Sequence, residues 1–224
     1  MAFDGFGPVA FRWFAGLEAD NTKAWFHAHR PEYDVEVRGP LTALLEEMAG
    51  DAPVWIARPN RDVRFSPDKS PYKTRAYGTI DGRLYAELSG DGLFAGTGAY
   101  GMDAGQLARF RAAVDAESSG TALESIVGAL DAAGIETWGE ALKTAPRGYA
   151  RDHLRVALLR HKMLVAGARI PPDTAVGDGP SLGRDAALDH LRDTWTACAP
   201  LLAWLADHVG APDPEGQAPG RRRR

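Results

Sequence analysis

One cysteine, Cys198, stands in 224 residues, so no disulfide can form within the chain and nothing calls for an oxidising compartment. It sits in the apolar run TWTACAPLLAWL, the setting of a small buried side chain rather than a reactive thiol. No apolar run approaches the ~18 residues of a spanning helix, and no basic start followed by an apolar stretch marks a leader. The expectation is a cytoplasmic protein that engages no membrane. Metal chemistry lacks its usual signs as well. There is no HExxH and no paired Cys/His spacing, and His27 and His29 would fall about 200° apart on a helix. A Walker A lysine, a GxSxG elbow and internal repeats are likewise missing.

What the chain does have is an ordinary globular composition, 45% apolar and 25% charged, with length enough to bury a sizeable core. The net charge of −4 is unevenly spread: Arg221 to Arg224 are all basic, and without them the rest carries −8. A body that acidic makes a poor non-specific coat for nucleic acid. Residues 1–209 read as a single globular domain, and 210–224, rich in Pro, Gly and Arg, as a disordered tail.

Roughly the first fifty residues carry helical periodicity. Pro8 suits a first turn, Phe11, Phe14 and Leu17 recur on one face, and Asn21 or Thr22 can cap a second helix bearing Trp25, Phe26 and Tyr33. Pro31 kinks or restarts it, and Gly39-Pro40 marks a further restart before Leu41, Leu44, Leu45 and Met48. Val54 to Ile56 is a short strand. Runs at 76–80, 83–89 and 93–97 then form an antiparallel meander, the first two joined at Asp81-Gly82, a two-residue hairpin signal. Leu84, Ala86 and Leu88 alternate with Tyr85, Glu87 and Ser89, as on a sheet with unlike faces.

Helices return after Gly101. Asp103 can cap one bearing Leu107, Phe110 and Val114, and a second carries Leu123, Ile126, Val127 and Leu130. A short strand is expected around 135–138, a helix over 152–165 with Leu154, Leu158 and Leu159 inward, and a linker over 177–183. The last helix runs from Arg184 to about Val209, interrupted at Pro200. The class is α+β: an antiparallel β-meander flanked by amphipathic helices at both ends of the chain.

The densest chemistry lies in RDVRFSPDKSPYKT, Arg61 to Thr74. From Arg58 to Arg75 there are six cations (Arg58, Arg61, Arg64, Lys69, Lys73, Arg75) against Asp62 and Asp68, a local excess of four positive charges in an acidic protein. Arginine forks and lysines hold phosphate or carboxylate by charge-assisted bonds. Ser66, Tyr72 and other hydroxyls add donors, and the Ser-Pro steps stiffen the loop. The candidate ligand-binding residues are therefore Arg61, Arg64, Ser66, Lys69, Tyr72 and Lys73. Arg147 and Arg151 would form a second wall, and Asp62, Asp68 and His153 are the acid–base candidates. The competing reading is a loop pinned by ion pairs such as Arg64 with Asp62 and Lys69 with Asp68, and for His153 the solvated start of a helix. Gly96-Thr97-Gly98-Ala99-Tyr100-Gly101 spells GxGxxG after a strand and before a helix. The βαβ unit of a dinucleotide site is not in evidence, so a tight strand-to-helix turn is the favoured reading.

Several of these motifs, in this order, carry a resemblance. Phe3-Asp4-Gly5-Phe6, Asn21 to Tyr33, Arg61 to Ser66 with Asp68 to Thr74, Gly96 to Tyr100, and Leu142-Lys143 through Pro146-Arg147-Gly148-Tyr149 to Asp152-His153 resemble the domain-of-unknown-function family 2461 of bacteria and fungi. The chain departs from the family's pattern at Thr97 and in its arginine tail. The resemblance implies no settled activity and leaves cofactor and enzymatic status open. The partner expected from the residues is an anionic small molecule, with a protein- or nucleic-acid-binding module as the alternative and nucleic acid the less favoured partner. Oligomeric state does not follow from the sequence.

Overall fold

A computed structural model describes residues 2–64, 66–175 and 179–212. They fall into two compact units: the chain up to Gly96 together with Ala168–Trp195, and Thr97–Gly167 together with the residues from Thr196 on. The class is α+β, with a six-stranded antiparallel sheet and flanking helices.

The first unit opens with β1 (Gly5–Phe6) and α1 (Pro8–Ala19), which has proline in its first turn and Phe11, Phe14 and Leu17 buried. Helix α2 (Lys23–Ala28) is capped by the Thr22 side chain, which accepts from the Trp25 amide. Helix α3 (Arg30–Glu32) restarts at Pro31. A π-helical turn over Tyr33–Arg38 then runs without a break into α4 (Gly39–Ala49). Gly39-Pro40 was expected to restart a helix, and α4 begins there, though with no gap before it. The wider turn, with the Gly39 amide reaching back to the Asp34 carbonyl, relieves the crowding a proline ring causes in a tight α-turn.

Strands β2 (Val54–Ile56), β3 (Arg75–Ile80), β4 (Leu84–Ser89) and β5 (Gly92–Ala99) follow. Asp81 and Gly82 both have positive φ, at 52° and 63°, and the Arg83 amide closes the turn on the Ile80 carbonyl. Pairing resumes at Ile80 with Leu84, so Arg83 is an extra residue in what reads as a two-residue hairpin. One face of this sheet presents Ala76, Ile80, Ala86, Leu88, Leu93 and Ala95 to a core shared with α1 and α4. The faces of β4 differ in chemistry as expected, but both are covered: Glu87 and Ser89 are 6% and 7% exposed.

In the second unit, α5 (Ala104–Asp115) starts with a reciprocal capping box of Asp103 and Gln106, and α6 (Glu117–Ala132) follows with Leu123 and Leu130 buried. Strand β6 is Glu136–Trp138, where a short strand was expected. The expected helix over 152–165 is a single turn, α7 (Val156–Leu159), followed by the strand β7 (Leu164–Ile170). Leu164, Val165 and Ala166 are all at most 1% exposed, so the strand shows no alternation and its apolar run mimics a buried helix. Leu154, expected inward, is 70% exposed. The strand order of the sheet is β2-β3-β4-β5-β7-β6.

The expected linker over 177–183 lies partly outside the described residues; within them, Asp173 and Ser181 exchange backbone bonds and β8 (Leu182–Gly183) pairs with β1. Helix α8 (Arg184–His208) has the expected extent and carries Pro200 inside it without the expected interruption. The lost N–H costs one bond, but Cys198 and Leu201, on either side, are fully buried and hold the helix. Gly210 and Ala211 are tied by their carbonyls to Gln106 and Arg109; the rest of the expected tail, from 213, lies outside the described residues.

Candidate functional site

The basic stretch leaves β2 and returns as a narrow hairpin-like loop. Asn60 bridges to Tyr72, the Arg61 amide donates to the Pro71 carbonyl, and the Lys73 amide donates to the Pro59 carbonyl. Its base is anchored from the helical layer. Asn21, one of two caps expected for α2, instead grips the main chain of Tyr72: its side-chain amide donates to the Tyr72 carbonyl at 3.0 Å and its oxygen accepts the Tyr72 N–H at 3.1 Å. The Tyr72 ring is 4% exposed and stacks on Phe26 at 3.9 Å, beside Trp13 and Tyr33. Tyr72 thus lies in the core of the first unit.

At the tip the charges are arranged in local pairs. Arg64 faces Asp62 with a fork, Nε at 2.9 Å and Nη2 at 2.5 Å, and Arg61 pairs with Asp68. Lys69 Nζ donates to the Val63 carbonyl at 2.9 Å, and Lys73 Nζ to the Arg58 carbonyl at 2.6 Å. The Arg64 side chain and then its amide hold the Asp62 carboxyl down at about 2. The Ser70 amide and hydroxyl, followed by Arg61, do the same for Asp68, also at about 2. Carboxylates this acidic hold cations well and take protons poorly near neutrality. Ser66 follows Phe65, which lies outside the described residues, and is half-buried.

Beside the loop, on the side of the sheet away from the core, lies a cluster not among the expected site residues. Glu87 accepts from Arg169 Nη2 at 2.9 Å and from the Tyr85 hydroxyl at 2.6 Å, with Arg75 Nε at 3.4 Å. Arg169 also donates to Ser89 and to the Gly92 carbonyl. The only available sign was a glutamate between apolar strand neighbours, and its partner Arg169 sits in the strand that read as a helix.

The remaining candidates belong to the second unit. Both ring nitrogens of His153 are engaged: Nδ1 accepts from the Arg155 amide at 3.0 Å, and Nε2 faces Asp115 at 2.9 Å. Its carboxylate partner is therefore Asp115, from α5, rather than the neighbouring Asp152. An acceptor Nδ1 leaves the proton on Nε2, directed at Asp115. Next to it Arg155, 4% exposed, crosses to Glu124 at 2.8 Å and Glu117 at 3.1 Å and pins α6. Arg147 is exposed on a turn. Arg151 lines a depression of about 230 Å³ with Lys143, Thr144, Ala145, Val156 and Arg160. Three basic residues and a threonine line this space, with no acidic residue in its lining.

Within the GxGxxG run, β5 continues through Gly96, Thr97 and Gly98 to Ala99, so four residues of the expected turn are strand and only Tyr100 and Gly101 belong to the connection toward α5. Gly98 has φ +134°, and a Cβ there would lie 2.4 Å from the Leu164 carbonyl oxygen: the glycine lets the β7 backbone approach. Among the described residues no group of three or more His, Cys, Asp or Glu could hold a metal ion, and no helix is long and apolar enough to cross a membrane. No curated protein matches the chain. The family model described as a conserved hypothetical protein, DUF2461, matches residues 9–204, and the chain belongs to that family.

Proposed function

We propose that the protein binds a small phosphorylated or otherwise anionic ligand, seated in the basic depression of the second unit. One observation carries this reading: Lys143, Arg151 and Arg160 line a single concavity of about 230 Å³ whose lining offers no counter-charge. The loop candidates are the weaker seat, because Arg61 and Arg64 each lie on an aspartate and Lys69 on a carbonyl. An incoming anion would have to displace those partners.

The volume sits below the roughly 300–1,000 Å³ of drug-sized sites, which favours a phosphate, pyrophosphate or compact phosphomonoester over a dinucleotide. Arg160 is already positioned by a bond from its Nε to the Leu142 carbonyl, leaving its terminal nitrogens for a ligand. Arg151, the one expected wall residue found here, would supply the second fork, with Thr144 as a hydroxyl donor. A cytoplasmic setting fits a chain whose one thiol is buried.

Thermal unfolding in the presence of phosphate, pyrophosphate and sugar phosphates is the test. The expected result is a transition temperature that rises with ligand concentration as mass action requires, and a rise abolished by Arg151→Gln with Arg160→Gln. No shift with any of these anions, or an equal shift in the double variant, would sink the proposal.

A further inference from the structure

The strands of the first unit pack one side on the core, and the other side carries a row of aromatic rings that is exposed at one end. On that side, Trp55, Tyr77, Tyr85 and Phe94 come one each from β2, β3, β4 and β5, and their rings form a continuous row. Successive centroids lie 6.1, 5.4 and 6.0 Å apart. Trp55, at one end, is 56% exposed, and the other three are half-buried. None of the four is part of the core cluster of this unit. Cations border the row. Lys73 Nζ is 5.0 Å from the Tyr77 centroid, Arg169 lies 5.5 Å from that of Phe94, and Arg75 stands on the same side of β3 as Tyr77.

The charge balance here is one-sided. Of the six cations between Arg58 and Arg75, Arg61 and Arg64 are matched by aspartates at the loop tip, and Lys69 donates to the Val63 carbonyl there. Arg58, Lys73 and Arg75 gather at the base of the loop, where it enters β3; Lys73 donates to the Arg58 carbonyl and Arg75 reaches Glu87, so no aspartate of the loop matches them. Burial, and then the neighbouring charges of Arg58 and Arg75, push the Lys73 ammonium pKa down, so these cations crowd one another. The one carboxylate on the aromatic side of β2 to β5 is Glu87, which is 6% exposed and already shared by Arg169 and Arg75.

We propose that this sheet face binds single-stranded nucleic acid, with unpaired bases stacking along the Trp55–Tyr77–Tyr85–Phe94 row and Arg58, Lys73 and Arg75 contacting the phosphates. A row of rings meets bases only when their faces are free, so the chemistry selects single strands over duplex. A purely apolar partner would gain nothing from the cations, and a polyanion without bases would gain nothing from the rings. The face shares no residue with the depression proposed above for small anions and does not depend on that reading.

Fluorescence anisotropy with a labelled deoxythymidine dodecamer tests the idea. The intact chain should bind at roughly micromolar concentration in low salt, and log affinity should fall against log salt with a slope of about −2, from three phosphate contacts on a single strand. Trp55→Ala should weaken binding about 5- to 100-fold, while Trp55→Phe, which keeps a ring, should retain most of it. Because Trp55 is mostly exposed, an unchanged unfolding transition will show that the alanine variant is folded. Lack of binding in low salt, equal binding to a duplex of the same length, or indifference to Trp55→Ala would each overturn the proposal. A concentration-dependent dimer that Trp55→Ala dissolves, with no oligonucleotide bound, would assign the face to a protein partner instead.

Discussion

Three side chains chosen for chemistry turn out to be occupied with structure. Tyr72 packs on Phe26, His153 has both nitrogens engaged, and Asp62 is fixed by Arg64. Asp62 is held by a partner two residues away, a pairing the sequence already suggests, whereas Tyr72 and His153 are held by Phe26 and Asp115, partners distant in sequence that no local reading can supply. Cys198 was legible because its neighbours alone decide its fate: burial pushes its thiol up to about 11. Residue-scale acid sensitivity should come from histidines that were not singled out. Burial is the first cause lowering the pKa of His190, whose Nε2 faces the Ala168 carbonyl at 3.1 Å; Asp193 opposes the shift and Arg169 reinforces it. A histidine with a native pKa below its unfolded value takes up its proton more readily when unfolded. Its contribution is therefore complete above about 6.5 and is lost as pH falls below that. The transition temperature should drop between pH 7 and pH 5, and His190→Gln should flatten that drop. An unchanged slope in the variant would refute the assignment.

Among elements, most helices and the meander follow from period and punctuation: Pro8, Thr22 and Asp103 start helices, and Asp81-Gly82 turns a hairpin. The failures share a physical cause. Strand β7 hides because tertiary cover on both faces erases its alternation, and the π turn and Pro200 survive because burial outweighs local helix rules. Arg169 was lost with β7, so half of the Glu87 cluster could not be anticipated. Glu87→Ala should lower stability by somewhat less than the ~3–5 kcal/mol seen when an enclosed pair is broken, since the Arg169 side chain keeps 33% of its exposure. Urea unfolding measures it, and a loss indistinguishable from zero would mean that the cluster does not hold β4 and β7 together. The basic loop was legible as a concentration of charge but not as two populations, the tip arginines held by aspartates and the base cations gathered without one. That division needs the fold, because it depends on which aspartate each arginine reaches.

For the whole molecule, the chain passes between its two units three times, at 96, 167 and 195, so neither unit is a continuous segment. Strands β5 and β7 and helix α8 each contribute residues to both. Elements held in common transmit unfolding from one unit to the other, so calorimetry should record one cooperative transition, with van't Hoff and calorimetric enthalpies in agreement. Two resolved transitions would show that the units melt independently. The shared strands have a further consequence during synthesis. Glu87 and the Arg169 that neutralises it are 82 residues apart. At roughly 5–20 residues per second the carboxylate therefore waits on the order of 4–16 s for its partner. Through that interval the β5 edge that β7 will occupy stays open on the nascent chain. A stalled or C-terminally truncated product is thus the form in which this protein is most prone to add strands from its neighbours.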